Sequence, residues 1–224
     1  MDQINEILDR YDTLLAEVHG IDPNATLVLA TKTVPRETLE LLAASRRDLI
    51  YGENRVQEFL SKYFTAERLT WHFIGRLQRN KVKYIVDKVS LIQSVDALPL
   101  AVEIERQCAK INKVMDILVE VNVGGEESKG GVAPADLVRF LTSLEGMPHL
   151  RVRGLMSVLP AADEDILVPL YRMLSDIYQM VKGLFFRGED FYLSAGMSGD
   201  YALALHCGSN MVRIGSKVFG ARVY

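Results

Sequence analysis

Along the first twenty residues apolar side chains recur at three- and four-residue steps: Ile4, Ile7, Leu8, Tyr11, Leu14, Leu15 and Val18. That spacing gathers them on one face of a helix, so the chain opens with an amphipathic α-helix. The pattern then changes to short apolar runs separated by helical stretches. TLVLAT at 26–31 is too short for a buried helix and too apolar for a loop, which predicts a buried strand. Pro35 suits the first turn of a helix whose apolar face is Leu39, Leu41 and Leu42. A strand at 48–51, a helix at 53–63, a strand at 69–75 and a helix through Val82, Ile85 and Val86 follow. Further strands are predicted at 90–94, 114–122, 151–157, 190–194 and 210–214, with helical stretches such as 98–111 and 166–181 between them.

These runs make eight βα units. Connections of that length require parallel strands, and eight units without a hairpin or low-complexity linker predict a closed (β/α)8 TIM barrel. The fold class is α/β, with one domain over residues 1–224. At 49% hydrophobic content the chain can bury one large core. A net charge of -3, with neither sign massed in a block, argues against a phosphate-backbone binder, so no nucleic-acid partner is expected. No apolar run reaches the roughly 18 residues of a membrane span. The periodic, acidic opening is unlike a cleavable signal, so no membrane is expected and a cytoplasmic location is. Cys108 and Cys207 suit reduced thiols better than a disulfide framework.

The barrel changes the meaning of Lys32, which ends the first strand. In this architecture the carboxyl ends of the strands form the ligand-binding mouth. A lysine held there against Leu27 and Leu29 is partly desolvated, which disfavours its charged form and frees an amine able to attack an aldehyde. On strand pattern alone, a lysine that merely snorkels from a strand end is the ordinary alternative. A second signal lies in LSAGMSGDYALALHCGSNMVRIGSKVFG, 193–220. Ser194 and Ser198 flank a glycine turn before a helix that starts near Asp200, and Arg213 and Gly215 follow the last strand. Backbone N–H groups, small residues, hydroxyls and one guanidinium can cradle a phosphate, and barrels often bind phosphate after strands seven and eight. Ordinary turn and cap residues would look the same one at a time.

Other chemistries fit poorly. GMSG at 196–199 would need glycine where Asp200 stands to be a nucleophile elbow. GEESKGG at 125–131 lacks the Gly-Lys-Ser/Thr of a P-loop. His19, His72, His149 and His206 share no ligand spacing, so no metal is expected. In YGENRVQE, 51–58, Asn54 and Arg55 reach the mouth, while Glu53, Arg55 and Glu58 read as a solvated helix start. In WHFIGRLQRNK, 71–81, His72 and Ile74 face away from Trp71 and Phe73, and His72 reads as a hydrogen-bonded interior residue. Arg76, Arg79, Lys81 and Lys83 read as a wet basic face, with an anionic partner as the alternative. Lys129 reads as a solvated lysine in the glycine-rich loop.

Taken together, TKTVP (31–35), YGENRVQE, WHFIGRLQRNK, SVD (94–96), GLM (154–156), SAGMSGD (194–200) and VRIGSKVFG (212–220) resemble the pyridoxal phosphate homeostasis protein family, also called YggS or PROSC-like. The resemblance runs nearly the whole length. It implies a barrel similar to the amino-terminal domain of alanine racemase, with pyridoxal 5'-phosphate (PLP) bound as an imine. Lys32 then matches the imine-forming lysine, and Asn54 the residue near the ring. Ser194, Met197, Ser198, Arg213 and Gly215 match the segments that grip the phosphate, and Ser209 is counted with the cofactor-binding residues. Ala195 stands where the family commonly has methionine and Asn210 where threonine or alanine is usual, both read as neighbours of the phosphate loops.

The function this implies is a PLP carrier in vitamin B6 homeostasis, with no catalytic residues, PLP-dependent apo-enzymes as recipients, and a monomer or weak dimer as the assembly. A racemase of this resemblance has a further β domain, and the chain stops four residues past Gly220, so two-sided proton transfer is not expected. The alternative is a small PLP-dependent amino-acid racemase completed by an oligomer partner.

Overall fold

The period-two alternation of the short runs decides which way each side chain points. In a computed structural model, which describes residues 2–45, 47–126 and 129–220, they form eight parallel strands closed into a barrel in chain order. These are β1 (Thr26–Ala30), β2 (Leu49–Glu53), β3 (Leu69–Phe73), β4 (Leu91–Val95), β5 (Met115–Glu120), β6 (Leu150–Met156), β7 (Tyr192–Ser194) and β8 (Met211–Ile214). Helices α1 (Asp2–Ile21), α2 (Arg36–Ala43), α3 (Val56–Lys62), α4 (Leu98–Lys110), α5 (Leu137–Leu144), α6 (Glu164–Phe185), α7 (Tyr201–His206) and α8 (Ser216–Phe219) surround it.

On β1, Leu27 and Leu29 face the helices and Val28 faces the barrel axis, where it packs with Ile74, Leu91, Leu118, Met156 and Met211. Lys32 follows two residues after Ala30, in the turn that leaves β1 at the mouth. On β4 the pairing register shifts between Ile92 and Val95. Both of these side chains lie in the outer core, three positions apart, and the shift resets the alternation so that Asp96 follows at the mouth. Trp71, Phe73, Tyr51 and Phe59 form the outer packing of β2, β3 and α3, with Trp71 ring centroids 5.2 Å from Tyr51 and 5.3 Å from Phe59. This packing fixes α3 against the end of β1.

Two expectations about where elements begin and what they are need correction. The segment after β3 is not an α-helix: residues Arg79–Tyr84 form a 3₁₀ turn closed by i→i+3 bonds from Lys81 N–H to Gln78 O and Ile85 N–H to Val82 O. Its β-branched Val82, Ile85, Val86 and Val89 bury well but are poor helix formers. Glu53 does not begin a solvated helix. It is the last residue of β2 and fully buried, and α3 starts only at Val56, because buried partners described below hold the carboxylate in the strand.

Toward the opposite, amino-terminal end of the barrel a polar network ties β5 to β6 and to the segment before β7. Asp116 accepts from Arg151 and from Arg153 Nη1 (2.9 Å), while Arg153 also reaches Asp190 O and packs over the Tyr192 ring. Asn210 belongs to this end: its side chain accepts from Leu193 N–H at 2.7 Å and donates to Phe191 O at 2.8 Å. Asn210 therefore stitches β7 to β8 and does not adjoin the phosphate loops. Ser209 likewise sits in the turn entering β8, its N–H on Ala204 O, at the far end of the barrel from Lys32.

Candidate functional site

Lys32 is part-buried, and its backbone is held on both sides. Before it, Thr31 O accepts from Lys62 Nζ at 2.8 Å, and Thr31 Oγ1 donates to Glu53 Oε1 at 2.7 Å. After it, Thr33 N–H donates to Glu58 Oε1 at 2.5 Å. Lys62 closes the clamp by pairing with Glu58 Oε1 at 2.6 Å and Glu53 Oε1 at 3.1 Å. Thr33 itself has φ of +68°, a left-handed conformation that β-branched residues avoid and that costs on the order of 1–3 kcal/mol. The Glu58 bond to its N–H holds this turn just after Lys32. Burial raises the Glu53 carboxyl, whereas the Lys62 bond and the Thr33 N–H lower that of Glu58.

Beneath the mouth a polar layer crosses the barrel. Burial pushes His72 down to about 3, so its ring is neutral and Nδ1 accepts from Gln93 Nε2 at 3.1 Å, as expected for an interior histidine. Ser194 Oγ donates to Gln93 Oε1 and accepts from Arg213 Nη1, each at 2.7 Å. Arg213 Nη2 donates to Ser157 O at 2.9 Å. The guanidinium is only 5% exposed, and burial lowers its pKa to about 10. Ser194 and Arg213 thus form the floor of the site, joined to each other.

The loop above them carries Met197 and Ser198. Gly196 has φ of +100°, and a Cβ there would meet the Ala204 Cβ at 2.6 Å, so glycine alone lets the loop turn so close to α7. Asp200 Oδ1 takes Met197 N–H at 2.7 Å and its Oδ2 takes the Tyr171 hydroxyl at 2.6 Å. The next two N–H groups, of Ser198 and Gly199, have no acceptor among the described residues. Gly215 ends β8 so close to β1 that a Cβ would lie 2.8 Å from Ala30 O. Lys32, Gly215 and Ser216 line one cavity of about 280 Å³. Asn54, just past the end of β2, lines a separate groove at the mouth.

Two carboxylates complete the mouth. Asp96 and Glu120 converge on Gly130, a Cβ on which would lie 2.9 Å from Asp96 Oδ2 and 3.8 Å from Glu120. Burial, and then the Asp96 charge, raise Glu120 to about 7 against the pull of Arg213 and Arg76. The native state therefore binds this proton more tightly than the unfolded chain, and stability falls as pH climbs from the ordinary carboxylate range through about 7. Glu120→Gln should leave stability unchanged near pH 4 and raise it by about 2 kcal/mol near pH 8, a difference that denaturant melts at the two pH values will show.

The structure brings Lys32, Asn54, Ser194, Met197, Ser198, Arg213 and Gly215 to one end of the barrel and leaves Ser209 at the other. Sequence reasoning missed the clamp and the carboxylate pair. Lys62 had a signal: it stands three residues after Phe59 on the apolar face of α3 and four after Glu58. Lys129 is not simply solvated but pairs with Glu126 at 2.7 Å.

This is a barrel of the alanine racemase amino-terminal type: the family model for the alanine racemase N-terminal domain matches residues 50–223. Within it the chain belongs to the pyridoxal phosphate homeostasis protein family. It is 41% identical to the pyridoxal phosphate homeostasis protein of Aquifex aeolicus over 228 residues, 100% of this chain and 98% of that one. It also overlays on PipY of Synechococcus elongatus, solved with PLP bound, at a TM-score of 0.84 and 27% identity, covering 96% of this chain and 100% of PipY. Alanine racemase from Corynebacterium glutamicum shares the fold at a TM-score of 0.71 and 14% identity, across 98% of this chain and 62% of the racemase.

Among the described residues no helix is long and apolar enough to cross a membrane, and no group of three or more metal-ligating side chains comes together.

Proposed function

We propose that this protein holds PLP as an imine on Lys32 and releases it to apo-enzymes that need it, without a reaction of its own. The observation that carries the reading is a primary amine at the barrel mouth, on a backbone clamped on both sides. The homeostasis name of its relatives and the PLP in PipY support it. The residues present fit the cofactor. Lys32 supplies the nucleophile, Asn54 flanks the ring, and the unpaired N–H groups of Ser198 and Gly199, with the Gly215–Ser216 turn, supply phosphate donors. Arg213 lends positive charge from the floor and orients Ser194. PLP when bound offers an electrophilic aldehyde. Condensation expels water, and water or a competing amine reverses it, so the bond suits storage and hand-over.

Borohydride reduction of the PLP-treated protein followed by peptide mapping tests the site. A phosphopyridoxyl group on Lys32 is expected, and one on any other lysine overturns the assignment. A carboxyl that titrates near neutrality beside the mouth, Glu120, favours a second reading, a racemase-type activity completed by an oligomer partner. That reading requires deuterium uptake at the α-carbon of an added amino acid, faster than with free PLP. The carrier requires none.

A further inference from the structure

Three of the stretches singled out in the sequence end in one place that shares only Asn54 with the PLP site. Asn54 and Arg55 of YGENRVQE, Arg76, Arg79 and Lys81 of WHFIGRLQRNK, and Asp96 of SVD line a groove of about 770 Å³. The groove begins at the strand beside Lys32, runs outward between the 3₁₀ turn and the start of α4, and meets a second depression at Arg79. Its floor is apolar: Val56, Leu77 and Leu100 are each about 5% exposed or less.

Four cations therefore face one carboxylate across a concave, apolar-floored surface. A solvated basic face normally pairs its charges with nearby acids or splays them into water. Here Arg55, Arg76 and Arg79 are exposed and make no ion pair or side-chain hydrogen bond among the described residues; Arg55 acts only at a distance on Glu58 and Arg76 on Glu120, and Lys81 has the Tyr84 ring 5.8 Å away. Cations converging on a low-dielectric cleft focus their field and concentrate anions there. Guanidinium groups take phosphate in a bidentate fork, and an apolar floor accepts an aromatic ring. Asp96 stands at the inner end by the mouth and repels an anion from that end, which leaves the outer end around Arg79 and Lys81 for the dianion.

We infer that this groove is a second, weaker binding position for a small aromatic phosphate monoester. On the function proposed above, on which this rests, its occupant is PLP on its way to and from Lys32. The groove is distinct from the phosphate donors at β7 and β8, which lie across the barrel from it.

The test uses the full chain and an Arg79→Gln/Lys81→Gln variant, whose two changes remove cations without an acidic partner and leave in place Arg55, which acts on Glu58 of the clamp. Stopped-flow absorption follows imine formation with PLP and with pyridoxal, which has the aldehyde and no phosphate. The variant should react with PLP about tenfold more slowly and lose most of the salt dependence, while its rate with pyridoxal is unchanged. An unchanged PLP rate, or an equal fall for both aldehydes, overturns the groove. A second measurement separates this from failure of the Lys32 reading. In a Lys32→Ala background, PLP and inorganic phosphate should shift the amide NMR signals of residues 76–81, and adding Arg79→Gln/Lys81→Gln should abolish those shifts. Absence of shifts in the Lys32→Ala protein overturns the proposal even if Lys32 is the imine site. Shifts without any adduct on Lys32 in the wild type would keep the groove and overturn the carrier.

Discussion

Lys32→Ala should melt like the wild type and show no imine absorption band at any PLP concentration. The side chain is part-buried at the rim, outside both apolar clusters, so truncation removes no core packing and stability should change by less than about 0.5 kcal/mol. Lys32→Arg sharpens the experiment. It keeps the positive charge and most of the length, yet a guanidinium stays protonated and does not condense with an aldehyde. If charge alone held PLP, the arginine variant would bind it with an unchanged spectrum shift. If the amine is the nucleophile, both variants lose the band equally. A band that survives in either variant would place the imine on another lysine.

The largest effect on folding should come from Lys62→Met. Lys62 lies between the fully buried Glu53 and the part-buried Glu58 and is itself 7% exposed. Removing it leaves Glu53 without a counter-charge, and its Oε2 already has no hydrogen-bond partner. Breaking one side of a buried pair costs about 3–5 kcal/mol. The double variant Lys62→Met/Glu53→Gln removes the stranded charge as well and should recover part of that loss. Denaturant melts of both variants check this, and equal stability of the two would show that charge is not the cause. Imine formation gives a second readout. Without Lys62, Glu58 loses its partner and its hold on Thr33 N–H weakens, so Lys32 should condense with PLP more slowly in both variants.

The fold was legible because alternation and helical spacing are local properties. The eight runs gave eight strands, and the carboxyl end of the first, with Leu27 and Leu29 on one face and Val28 on the other, was enough to place Lys32 at the mouth. What sequence could not provide was anything that depends on pairing across the barrel. Ser209 and Ser198 look alike in the chain, but one precedes a strand and the other follows one, and a parallel barrel puts those positions at opposite ends. Glu53 reads as a helix-start acid until Lys62, nine residues on, is brought under it by the packing of Phe59 on Trp71. Asp96 reaches the mouth through a register shift in β4 that no composition rule foretells.

The filled apolar layer of Val28, Ile74, Leu91, Leu118, Met156 and Met211 makes the barrel a cul-de-sac below the mouth. An incoming vitamer, the water it displaces and any rival amine must share a single doorway and pass in turn. A protein resting on that rim would seal the contents inside, whereas one that leaves a gap toward the arginine-lined side would let them out.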